Sequence, residues 1–280
     1  MFWLVGKENV ELISVSPTGP TSYEDVNTIL HLMLRKVQAI LSTELVGFYL
    51  YGSLSLGDFD PASSDIGFLI VTAEDVAEET LGRLRDMHAD IASSNLPYAT
   101  RLEGSYIPRK ALRHYDSENA SHPTIGTDWP FQIGWHGINW IIERHIVREH
   151  GVIVWGPLPQ TLIDPIAPDE LRTAVCEQLK RFWQNRLDEP EWLGPRDYQA
   201  FAVLTLCRAL YTLHLGMVSS KPKAAAWAQE VYPRWKSMIE RALLWRSQHE
   251  KDDVTETKTF LREALLQAQE MCSQTNAHHS

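Results

Sequence analysis

The stretch LYGSLSLGDFDPASSDIGFLIVT, Leu50 to Thr72, decides the reading of this chain. An apolar run stops at Gly52-Ser53, a polar loop carries Asp58, Asp60 and Asp65, and Phe68-Leu69-Ile70-Val71 resumes as a strand. Gly52 lets backbone approach a ligand with no Cβ in the way, and Ser53 offers a hydroxyl and an N–H to phosphate oxygens. Asp65, just before a strand, supplies the hard oxygen that magnesium takes together with substrate phosphates. Strand alternation puts Asp65 and Gly67 on one face with Leu69, and Ile66, Phe68 and Ile70 on the other. Gly-Ser alone occurs at ordinary turns, so the acidic loop and the strand behind it carry the argument.

Outward from this stretch the chain divides in two. Ser22, with Asp25 three residues on, reads as the cap of a helix whose apolar positions run from Val26 through Ile29, Met33 and Val37 to Leu41. Strands are expected at Phe48–Leu50, Phe68–Val71, Tyr98–Ile107 and Val152–Trp155, with helices at Asp75–Asn95 and Trp135–Arg148 and a polar connection before the latter. Beyond Pro165 and Pro168 only helical periodicity remains, at Asp169–Leu187, Tyr198–Leu215, Lys223–Val231, Trp235–His249 and Thr255–Met271, before a polar tail from Ser273 that reads as frayed. The fold class is therefore α+β: a mixed-sheet domain over 1–164, then a helical bundle over 165–280.

Composition bounds the partners. With 280 residues and 44% hydrophobic content the chain can bury a sizeable core, and a net charge of −10 argues against nucleic acid, which needs a basic surface. No window reaches the roughly 18 to 20 apolar residues that span a bilayer, and the opening MFWLVGKENV has no basic n-region, so a cytoplasmic protein off the membrane is expected. Cys176, Cys207 and Cys272 are scattered and lack Cys-x-x-Cys spacing, so neither a disulfide framework nor a zinc site is indicated. None of the histidines stands at His-Glu-x-x-His spacing, and no nucleophile elbow is present.

Gly-Ser followed about a dozen residues later by a strand-opening aspartate resembles the nucleotidyltransferase signature. The G-D-F-D-P-A-S-S-D-I version is similar to that of the streptomycin and spectinomycin type aminoglycoside adenylyltransferases. The likeness continues through RLEGSYIP, REHGVIVWGP and VLTLCRALYTLHLGMVSSKPKAAAWA, across roughly residues 20 to 265. The resemblance implies a two-domain, ATP- and Mg2+-dependent enzyme, expected as a monomer, whose acceptor is a cationic small molecule bearing a hydroxyl. Gly52 and Ser53 would hold the triphosphate, Asp65 and Glu103 the metal, and Glu103 would deprotonate the hydroxyl. Arg208 and Lys221 match the nucleotide-contacting cations of the family, and Trp135, His136 and Asp197 are its candidate acceptor contacts.

The chain departs from the family pattern at one place. Asp-x-Asp is expected, and Asp65-Ile66-Gly67 is present, so one carboxylate ligand is missing. Asp58 or Asp60, a few residues back in the loop, and water are the alternative donors for that position. A catalytically impaired homologue that binds nucleotide is the alternative reading. Each candidate also has a bland role: Glu103 as an edge-strand partner of Arg101, Arg208 and Lys221 as surface charges, the tryptophans as core, and Asp197 as a helix cap.

Overall fold

The computed structural model describes residues 13–14, 19–183 and 190–277. The first part alternates strand and helix: β1 (Ile13–Ser14), α1 (Glu24–Leu41), β2 (Leu45–Tyr51), a single turn α2 (Ser53–Leu56), β3 (Ile66–Thr72), α3 (Glu78–Ala92) and β4 (Leu102–Pro108). Then come α4 (Arg109–Arg113), the hairpin β5 (Ser121–Gly126) and β6 (Trp129–Trp135), α5 (Trp140–His150) and β7 (Val152–Gly156). The rest is helical: α6 (Pro168–Gln178), α7 (Arg196–Leu215), α8 (Lys221–Val231), α9 (Lys236–Leu244) and α10 (Thr255–Ala277). The seven strands lie in the order β1-β7-β2-β3-β4-β5-β6, with only β3 and β4 parallel. This is the α+β arrangement read from the sequence.

Alternation along the central strands sorts the residues into two layers. Phe48, Leu50, Ile66, Phe68, Ile70 and Tyr106 point into a core closed by α1 and α3, which contribute Val26, Ile29, Met33, Leu84 and Met87. Tyr49, Leu69, Val71 and Ile107 face the other way, against Leu112 of α4 and Trp140 and Val147 of α5. A third core joins α6 to α10, and Ile142 and Ile146 of α5 belong to it. Helix α5 thus packs one side on the sheet and the other on the helical half.

Several expectations are corrected. The cap of α1 is Tyr23, with no side-chain bond, because the Thr21 hydroxyl accepts from the Tyr23 N–H (3.1 Å) in place of a Ser22 capping box. The polar connection holds the β5–β6 hairpin, so Trp135 ends a strand and α5 begins only at Trp140. Helix α6 gives way to a π turn over Leu179–Trp183, and 184–187 of the expected helix fall outside the described residues. The tail is helical to Ala277, since Phe260, Leu261, Leu265, Ala268 and Cys272 keep one face of α10 buried. Cys176 and Cys272 form a disulfide between α6 and α10, where no such bond was expected; two cysteines 96 residues apart in sequence meet only through the packing of two helices. Among the described residues no helix is long and apolar enough to cross a membrane.

The disulfide closes a long loop and restricts the unfolded chain, a contribution of about 2–4 kcal/mol. Thermal unfolding followed by circular dichroism should shift down by several degrees under reductant. The Cys176→Ser/Cys272→Ser variant should unfold early with or without it.

Candidate active site

The parallel pairing of β3 with β4 sets Gly67 opposite Glu103 and Ile66 opposite Leu102. Asp65 therefore sits two residues before Gly67, just ahead of β3 at the mouth of this pair, on the face shared with Tyr51. On the other side of β3 the register sets Tyr51 opposite Gly67. Tyr51 leads directly into Gly52, whose φ of 71° is a backbone conformation that side-chain-bearing residues avoid. The turn into α2 is held by the Gly52 carbonyl, which accepts from the Leu56 N–H (3.0 Å) and the Ser55 hydroxyl (3.0 Å). Strand register thus brings Gly52, Ser53, Asp65 and Glu103 to one end of the sheet, as the sequence reading required.

The carboxylates are crowded. Burial, then the nearby Asp65, Glu143 and Asp128, push Glu103 up to about 7. Burial also raises Asp65, against the Thr127 hydroxyl on its carboxylate and the Arg101 guanidinium 3.7 Å away. Arg101 is pinned in turn by the carbonyls of Pro61 (2.9 Å) and Ser64. Among the described residues no three His, Cys, Asp or Glu side chains come together as a metal-ligand set. Two oxygen donors at one strand end suit magnesium, which keeps several waters and completes its shell with substrate phosphates. Like charges crowded there are what a bound cation would relieve.

The helical half supplies the opposite charge. Lys221, the first residue of α8, reaches this end of the sheet: burial, then Arg208 and Arg246, pull its ammonium down to about 8, while Asp58 and Asp65 oppose the shift. Its Nζ also lies 5.1 Å from the Phe201 ring centre. Arg208, midway along α7, faces Glu143 of α5 across the cleft; burial raises Glu143, and Arg208 lowers it.

The other predicted residues are held by contacts of their own. Asp197 accepts from His249 Nδ1 (2.6 Å) and caps the Tyr198 N–H (2.9 Å), eleven residues or about 16 Å along α7 from Arg208. His136 is 4% exposed, stacked on Trp140 at 3.9 Å and bonded to the Ser105 hydroxyl (3.1 Å). Burial, then His122 and Arg144, hold its imidazole at about 3, neutral at any ordinary pH. Trp135 is 55% exposed with Arg181 over its ring at 5.5 Å. Asp60 accepts from the Ser63 hydroxyl (3.0 Å) and the Ala62 N–H (3.0 Å) of its own loop, and the Asp58 carboxylate accepts from the Lys221 N–H (3.2 Å) of the helical half.

Three residues of the site escaped the sequence reading. Thr127 and Asp128 come from the hairpin turn, whose local signal was the turn-forming Gly126-Thr127-Asp128 between SHPTI and WPFQI. Glu143 is one charge on an amphipathic helix, and only the packing of α5 between the two halves turns it into the cleft.

Known proteins match this arrangement. Residues 161–271 match the family model described as aminoglycoside adenylyltransferase, C-terminal domain. Aminoglycoside (3'') (9) adenylyltransferases of Shigella flexneri and Escherichia coli are each 27% identical over 221 residues, spanning 75% of this chain and 80% of theirs. A namesake from Rhizobium radiobacter is 35% identical over 86 residues, 31% of this chain and 29% of its own. The spectinomycin adenyltransferase AAD(9) from Enterococcus faecialis, solved with ATP and spectinomycin, shares the fold, with a TM-score of 0.68 at 18% identity over 89% of this chain and 100% of that one. The helical half thus matches the C-terminal family model, three quarters of the chain is similar in sequence to aminoglycoside adenylyltransferases, and the fold is shared with a spectinomycin adenyltransferase.

Proposed function

We propose that this protein transfers the AMP group of ATP to a hydroxyl of an aminoglycoside-like, cationic small molecule and releases pyrophosphate. The observation that carries the reading is the meeting, at one strand end, of Glu103 and Asp65 from the sheet with Lys221 from the helical half. Nucleotidyl transfer is catalysed mainly by positioning and by charge placed against phosphate oxygens. Gly52 and Ser53 would cradle the triphosphate, and Lys221 and Arg208 would neutralise it from the opposite wall. Glu103, held at about 7, is poised to take the hydroxyl proton as the oxygen bonds to the α-phosphorus and the bond to pyrophosphate breaks. Asp65 and Glu103 would hold magnesium, which when bound supplies further charge neutralisation at the phosphates.

Gly67 favours a second reading. With no carboxylate there, and no three-ligand set among the described residues, the chain would bind nucleotide with little or no turnover. A Cβ at position 67 would stand 3.0 Å from the Tyr51 carbonyl oxygen and 3.5 Å from the Tyr51 ring, so an aspartate there requires the strands to give by a few tenths of an ångström.

Pyrophosphate release with ATP, magnesium and an aminoglycoside panel should exceed the blank, and Glu103→Gln should lower kcat by at least about 10²-fold. Release indistinguishable from blank, with turnover gained in Gly67→Asp, would establish the second reading instead. ATP affinity offers an independent check. An ammonium that titrates near 8 is charged below that pH and neutral above it, so calorimetric affinity of the wild type should weaken as pH rises from 7 to 9. Lys221→Met should bind weakly at both ends of that range and lose the pH dependence.

A further inference from the structure

Asp58 has three polar groups, and each is committed. Its N–H donates to the Ser53 carbonyl (3.0 Å), which ties it to the Gly-Ser turn. Its carbonyl accepts from the Arg246 guanidinium (3.1 Å), just beyond α9. Its carboxylate accepts from the backbone N–H of Lys221 (3.2 Å). The last bond completes the start of α8, where the first N–H groups have no partner within the helix. Ser220, the N-cap, takes the N–H of Lys223 (3.4 Å), and Pro222 has none to offer. The N–H of Lys221 is left, and a residue 163 positions earlier receives it. A carboxylate is also the favoured group at the positive end of a helix.

The loop carrying Asp58 is itself fixed. Phe59, next in the chain, is 8% exposed and sits against the rings of Tyr23 (4.8 Å) and Tyr98 (5.8 Å) in the sheet core. Asp58 is therefore held by the sheet half and grips the helical half. We infer that Asp58 is a positioning residue, a clasp that joins the phosphate turn to the start of α8 and so fixes where the Lys221 ammonium stands relative to Asp65 and Glu103. The inference rests on the proposed nucleotidyl transfer for its kinetic readout, and its binding readout is independent of turnover.

The test compares Asp58→Asn, which keeps an oxygen able to accept from Lys221, with Asp58→Ala, which does not. With the clasp, Asp58→Ala weakens ATP binding measured by calorimetry by about tenfold, as expected for loss of a helix cap, and Asp58→Asn stays within about threefold of wild type. Lys221→Met should then cost much less in the Asp58→Ala background than in the wild type, because the ammonium is already displaced. In turnover the loss should fall on KM for ATP more than on kcat. Unchanged ATP affinity in Asp58→Ala, or full additivity with Lys221→Met, would overturn the clasp, as would a melting temperature that drops without any change in affinity. If Asp58→Asn raises the magnesium requirement as far as Asp58→Ala does, the carboxylate is a metal ligand and the clasp is wrong. Failure of wild-type turnover with every acceptor would count against the proposed reaction and leave the calorimetric comparison decisive for Asp58.

Discussion

Everything chemical in this molecule depends on the parallel ladder between β3 and β4. Parallel strands run in the same direction, so their ends open at the same edge of the sheet, and residues at equal depth face the same cleft. One register sets Gly67 beside Glu103 and leaves Asp65 just outside. A slip of one residue would turn Glu103 into the apolar layer with Tyr106 and send Leu102 to the cleft. The register is protected because that layer is filled by Ile66, Phe68 and Ile70 against two helices.

The second half exists, in energetic terms, as a counter-charge. Burial first, and then the neighbouring carboxylates, displace Glu103 from its usual range. From the sheet half, Arg101 relieves Asp65 alone. Lys221 and Arg208 supply positive charge from helices whose own buried faces belong to the helical core. Burial likewise lowers the affinity of the Lys221 ammonium for its proton.

Much of this was legible in the amino-acid order. The Gly-Ser turn, the aspartate before Phe68 and the glutamate in RLEGSYIP are local features, and strand alternation predicts which way each one points. The change from mixed to purely helical periodicity after Pro165 is equally local. What could not be read were relations between distant segments. Cys176 and Cys272 carry no spacing signature, and their pairing follows from how α6 meets α10. Asp58 looked like a spare ligand for the place of Gly67 because its sequence neighbours are acidic, whereas its partners are Lys221 and Arg246. His136 was read as a candidate acceptor contact, and its ring is buried and stacked on Trp140. Asp197 was read as an acceptor contact, and its bonds are those of a helix start paired with His249.

Helix α5 has a consequence for how this architecture can be divided. Trp140 and Val147 belong to the layer beneath the sheet, while Ile142 and Ile146 complete the interior of the bundle. The visible change of character in the chain comes after α5, but the bundle borrows part of its filling from before that point. No single cut there yields two self-sufficient pieces, because one would lack its plug and the other would show two isoleucines to water. Any excision of the helical portion must carry this segment along and thereby uncovers the underside of the sheet.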